Sequence, residues 1–236
     1  MANFVLVHGG WHGGWSYQRV AKLLRQAGHE VYTPTLTGLG ERSHLAVMPI
    51  NLDTHITDII NTIFWEDLSD VVLVGHSYGG MVVTGVADRI SDRISALVYL
   101  DALVPEDGDT LFSRLPEFMD SFVAKVAQGG GLMVSPPPAS AYDTSRPEDW
   151  AWIDEKATPH PFACFVQAIR LSGRREAVAK RVYVYAAGGI CDGKYDRFRI
   201  DAGARVISVG SSCHSIMIDS PERVAEILIE TTQPWP

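Results

Sequence analysis

Five residues, Gly75-His76-Ser77-Tyr78-Gly79, spell G-x-S-x-G. They follow the apolar run Asp70–Val74 directly and precede a helical pattern running from Gly80 to about Ile90. In that strand–turn–helix setting the pattern points to a serine nucleophile raised on a sharp turn. The flanking glycines serve because larger side chains would collide with neighbouring elements. The hydroxyl then stands at a helix N-terminus, where the dipole favours developing negative charge. The plainer alternative is a serine that only caps the helix. The side chains of His76 and Tyr78 read as pocket wall or packing, whereas the Tyr78 backbone N–H is suited to donate to an oxyanion.

A serine needs a base. The chain has eight histidines, and His214 alone follows the last strand pattern, Arg205–Val209. That order, Ser then His after a final strand, suits proton transfer from Ser77. A second oxyanion donor is expected from the loop after the first strand, Val7-His8-Gly9-Gly10-Trp11-His12-Gly13-Gly14-Trp15. Its glycines let backbone approach a ligand, and the Gly10 N–H is the expected donor. A simple tight turn would look similar.

The base in turn needs a carboxylate to hold its tautomer. Two fit. Asp101 ends the run Ser95–Leu100, and Asp192 lies in the loop after Arg181–Ala186. Asp101 is preferred on position. Asp192 could equally be an ordinary turn residue before Gly193, and both stay open.

The elements that must carry these residues alternate. Strand patterns occur at Phe4–His8, Glu30–Pro34, Asp70–Val74, Ser95–Leu100, Arg181–Ala186 and Arg205–Val209. Helical spacing occurs at Tyr17–Gln26, around Ile56–Ile63 with Asp53 or Thr54 as cap, after Gly80, and at Pro221–Glu230. Repeated βα units predict an α/β fold: a mostly parallel, doubly wound sheet flanked by helices. The stretch 105–180 breaks the rhythm, with helical runs near Leu111–Ala127 and Phe162–Leu171 and no strand of the sheet type. It reads as a helical cap inserted into a core of 1–104 and 181–236, the whole forming one structural domain; a peripheral helical layer is the plainer alternative. Trp11, Phe112, Trp152 and Phe165 are candidate substrate-binding residues, with Leu115, Phe118 and Trp150 beside them. All could instead be packing. The last four residues, 233–236, read as a frayed tail.

Composition narrows the partners. The chain has 236 residues and a net charge of −8 without a basic run, which argues against nucleic acid or an anionic membrane. Three scattered cysteines, Cys164, Cys191 and Cys213, make neither a disulfide framework nor a zinc motif, and no leader or membrane span is evident. A cytoplasmic protein without metal is the expectation, acting on a small-molecule ester. A homodimer is left open.

The chain resembles the α/β-hydrolase superfamily, in the branch of plant methylesterases, hydroxynitrile lyases and related bacterial esterases. The likeness spans nearly the full length and rests on FVLVHGGWHGGW, PTLTGLGERSH, GHSYGG, YLDALVPEDG and CHSIMIDSPERVAEIL. It implies a core sheet with a mainly helical cap, no cofactor, and hydrolysis of small hydrophobic esters through Ser77 and His214, with oxyanion donors at Gly10 and Tyr78. Plant members carry their acid at the position of Gly189 in this chain. Haloalkane dehalogenases and the zearalenone lactonase carry theirs where Asp101 stands, which favours Asp101. The lyases carry a threonine and a lysine where this chain has Gly9 and Ser215, which favours an esterase. Lactone hydrolysis, cyanohydrin cleavage and a receptor with vestigial hydrolysis are the remaining alternatives.

Overall fold

The computed structural model describes residues 1–47, 49–128, 131–142, 146–189, 191–210 and 213–234; residues 235–236, the end of the tail expected to fray, lie outside them. The strands are β1 (Asn3–Val7), β2 (Glu30–Tyr32), β3 (Val71–His76), β4 (Ile94–Leu100), β5 (Met133–Val134), β6 (His160–Pro161), β7 (Lys180–Ala186) and β8 (Ala204–Val209). Six of them form one sheet in the order β2-β1-β3-β4-β7-β8, and every neighbouring pair is parallel. All six residues of β3 are buried, as a strand covered on both faces must be.

Alternation along the strands builds two cores. Phe4, Leu6, Val72, Val74 and Val98 face one way, and Val5, Val7, Val71, Leu73 and Leu97 the other. Helix α1 (Gln18–Gln26) covers the first face, while α2 (Leu52–Trp65) and α3 (Gly79–Arg89) cover the second. The cap of α2 is Asn51 rather than Asp53 or Thr54. The Asn51 side chain accepts from the Thr54 N–H at 3.0 Å, and the Thr54 hydroxyl accepts from the Asn51 N–H at 3.3 Å.

Among the described residues, the stretch 105–180 adds no strand to the sheet before Lys180, where β7 begins. It holds α4 (Leu111–Arg114), α5 (Met119–Gln128), α6 (Trp150–Lys156) and α7 (Ala163–Val166). The run expected at Leu111–Ala127 is interrupted at Leu115 (φ −136°, ψ 62°), because Pro116 disfavours a helical residue before it. The run expected at Phe162–Leu171 shrinks to α7. Strands β5 and β6 make an antiparallel ribbon that periodicity did not reveal, two residues being too few to show a period. Helices α8 (Ile216–Asp219) and α9 (Pro221–Thr231) return to the first face, where α9 lies against α1.

Chain order reverses at β1, which pairs with β2 on one side and β3 on the other. The carboxyl ends of β1 and β3 therefore open onto the crevice that parallel sheets offer to ligands. The Gly9-Gly10 loop and Ser77 lie at those two ends.

Candidate active site

Ser77 sits between β3 and α3 at φ +52°, a left-handed conformation that a non-glycine residue holds only under constraint. The constraint is packing. A Cβ at Gly75 would come within 2.7 Å of the Gly79 carbonyl oxygen. One at Gly79 would meet the His8 and Val7 carbonyl oxygens at 2.7 and 2.8 Å. The turn can therefore press against the β1 loop only with glycine at both places. The two loops touch: a Cβ at Gly9 would lie 2.9 Å from that of Ser77.

Gly10 and Tyr78 are both buried, and among the described residues no hydrogen bond engages either backbone N–H. Buried N–H groups are rarely left unpaired, so these two donors, on loops that touch, are available to an anion. Their surroundings are rigid. His8 takes the Leu36 N–H at Nε2 (3.0 Å) and donates from Nδ1 to the Gly9 carbonyl (2.8 Å). The Tyr78 hydroxyl donates to His55 Nδ1 at 2.9 Å, because His55 Nε2 is committed to the Thr37 carbonyl at 2.9 Å.

The structure brings His214 onto Asp101. Nδ1 lies 2.6 Å from Asp101 Oδ2, across 113 residues of sequence. Asp101 is fully buried at the end of β4, at φ +43°. Its Oδ1 accepts the Ala186 N–H at 3.2 Å. Tyr195 clamps the next residue: its hydroxyl accepts from the Ala102 N–H (2.6 Å) and donates to the Ala102 carbonyl (2.5 Å). Asp192 does otherwise. Its exposed carboxylate accepts the Gly188 N–H at 2.7 Å and closes a turn, as its local setting before a glycine allows. A Cβ at Gly189 would lie 3.5 Å from Asp101 Oδ2, so the position to which the family resemblance assigns the acid borders the Asp101 carboxylate.

His76 proves more than wall. Its ring lies 4.7 Å from that of His214, and its Nε2–H donates to the His214 carbonyl at 2.9 Å. Burial holds it well below the usual imidazole range, with His214 adding to the effect, so it stays neutral.

Three of the four candidate binding residues converge. Trp11 lies 5.7 Å from Phe165, Phe112 lies 6.5 Å from Phe165, and Phe122 stands among all three. Trp152 does not join them. Its ring packs edge-on against Trp15 at 4.9 Å and under the Arg19 guanidinium at 5.6 Å, in the other core cluster. The expectation for Trp152 is corrected: α6 is tied to α1 by the Arg19–Asp149 ion pair, at 2.6 and 2.7 Å, which turns it toward that face. Sequence reasoning passed over His160, which lies beside this wall, stacked on Phe165 at 4.3 Å.

His55, His160 and Cys164 bring donor atoms within 4.8 Å of one another. Both nitrogens of His55 are already bonded, and burial pushes the Cys164 thiol up to about 12, so the trio reads as packing rather than a metal centre. No helix among the described residues is long and apolar enough to cross a membrane.

A model of the alpha/beta hydrolase family matches residues 4–227. A carbendazim hydrolyzing esterase of Nocardioides sp. (strain SG-4G) is 43% identical over 97% of this chain and 98% of that protein. An alpha-hydroxynitrile lyase of Arabidopsis thaliana is 32% identical over 50% of this chain and 46% of that protein. Among solved structures, an extracellular alpha/beta-hydrolase from a Paenibacillus species superposes with a TM-score of 0.84, covering 98% of this chain and 99% of that one at 24% identity.

Proposed function

This chain belongs to the alpha/beta hydrolase family, and on that premise we propose that it hydrolyses small hydrophobic carboxylic esters through Ser77, His214 and Asp101. The observation that carries the reading is the 2.6 Å contact from the buried Asp101 carboxylate to His214 Nδ1. It leaves Nε2 of His214 as the nitrogen free to take a proton. Ser77 Oγ attacks the ester carbonyl as His214 accepts its proton. The N–H groups of Gly10 and Tyr78 receive the oxyanion, each worth a few kcal/mol in reactions of this type. His214 then protonates the departing alcohol. A water molecule, deprotonated by His214, attacks the acyl-enzyme, and the acid product leaves with Ser77 restored.

The stretch 105–180 acts as the cap, and Trp11, Phe112 and Phe165 form an apolar wall for the substrate. Cys164 and Cys191 are free and buried thiols, which suits a cytoplasmic setting. Cyanohydrin cleavage is disfavoured because Gly9 and Ser215 stand where a lyase of this branch has threonine and lysine, and Ser215 is fully buried. The 43% identical relative makes carbendazim a compound to assay beside simple esters.

The test is turnover of p-nitrophenyl esters from acetate to octanoate, and of carbendazim, by the wild type and Ser77→Ala. The account expects turnover that Ser77→Ala abolishes. Background rates from the wild type on every compound would move lactone and cyanohydrin chemistry ahead of it.

A further inference from the structure

We propose that His160 is a positioning residue for the oxyanion loop, holding the peptide after Gly10 through its Nδ1 and so setting where the Gly10 N–H points. The inference rests on the reading of Gly10 and Tyr78 as oxyanion donors.

Trp11 is the residue to explain. It sits at φ +63°, a left-handed conformation that is strained for a non-glycine residue and persists only where neighbours over-determine it. Three hydrogen bonds from the stretch 105–180 hold it. The Trp11 N–H donates to His160 Nδ1 at 3.3 Å, its carbonyl accepts the Thr158 N–H at 2.9 Å, and its indole Nε1–H donates to the Val134 carbonyl at 2.9 Å. The ribbon β5–β6, with Thr158 two residues before it, thus grips the loop by both main-chain groups and the side chain of one residue. The Gly10 amide is the neighbouring peptide, so its direction follows from how Trp11 is held.

His160 is suited to the task and poorly suited to plain packing. Because Nδ1 accepts, the proton is on Nε2. That nitrogen is buried and has no partner among the described residues. An unpaired buried donor is destabilising, a cost that an apolar side chain would avoid. The imidazole is also immobilised. It stacks on Phe165 at 4.3 Å and 18°, and meets the Tyr78 ring edge-on at 4.8 Å. One ring therefore touches both residues that frame the oxyanion: the Trp11 peptide beside Gly10, and Tyr78 itself. A Cβ on Gly10 would lie 3.9 Å from His160 Nδ1. Burial holds the imidazole well below its ordinary range, so Nδ1 remains an acceptor at neutral pH.

The test compares His160→Asn with His160→Leu. The two replacements have nearly the same shape, and only Asn can offer an acceptor close to the place of Nδ1. With p-nitrophenyl acetate, His160→Leu is expected to lose about 30-fold in kcat with KM within about twofold, and His160→Asn to recover most of that loss. The rate preference for the ester over its thiono analogue, whose sulfur anion accepts hydrogen bonds poorly, should shrink in His160→Leu alone. Equal losses in both variants, or an unchanged preference, overturn the proposal. Nitrogen-15 spectra of the wild-type histidines give a check that needs no variant: His160 must be the Nε2–H tautomer, and Nδ1–H would refute it. Turnover retained by Ser77→Ala would instead sink the hydrolase reading beneath.

Discussion

Tyr195 is where a single hydroxyl controls the most geometry. It holds both main-chain groups of Ala102, one residue past a carboxylate whose own φ is +43°. Tyr195→Phe removes both bonds and leaves the Ala102 amide buried and unpaired. The account expects kcat to fall about tenfold with KM little changed, measured by steady-state kinetics on a p-nitrophenyl ester. Ser77 and His214 were legible from sequence because their signals are local: a glycine-flanked serine after a buried strand, and a histidine after the last strand. Asp101 was legible only as one of two. Its contact with His214 spans 113 residues, and no spacing rule says which strand end will face a given loop. His160 and Tyr195 left no sequence signal, since each acts through a partner about a hundred residues or more away.

At the scale of elements, the turn from β3 to α3 is a close fit between two glycines. A methyl group on Gly75 would overlap the Gly79 carbonyl and the Val83 side chain, each at 2.7 Å. Gly75→Ala should therefore push α3 off the sheet, costing about 2–3 kcal/mol in urea denaturation and most of the activity. The six sheet strands were readable because apolar, β-branched runs alternating with helical patterns leave few other arrangements. The stretch 105–180 was readable only as an interruption. Its described helices are four to ten residues long, broken by Pro116, and each strand of the β5–β6 ribbon is two residues long. Segments that short carry too few residues for a period, so their packing against Trp11, and the turning away of Trp152, depend on contacts that exist only once the chain has folded.

Over the whole molecule, buried neutral histidines tie stability to pH. Burial lowers His8 and His55 to about 4 and His12 to about 3, and it holds His76 and His160 well below the ordinary value of 6.5. The unfolded chain takes these protons near pH 6.5, whereas the folded chain takes them only at lower pH. Their stabilisation is thus complete above pH 6.5 and is lost as pH falls toward 4, by about 1.4 kcal/mol per pH unit for each proton. Acid unfolding is expected to be cooperative within that window and to take up several protons per molecule, as urea midpoints followed against pH would read. A stability that stays flat from pH 7 to 4 would contradict the burial of these rings.

The central claim is that Asp101, and not Asp192, serves His214. The most direct measurement is kcat/KM for Asp101→Asn and Asp192→Asn on one p-nitrophenyl ester, each variant checked for wild-type thermal unfolding. The account predicts that Asp101→Asn loses at least about a hundredfold, because the amide holds the wrong tautomer of His214, while Asp192→Asn stays within about threefold of the wild type. A large loss in Asp192→Asn with Asp101→Asn nearly intact would contradict it.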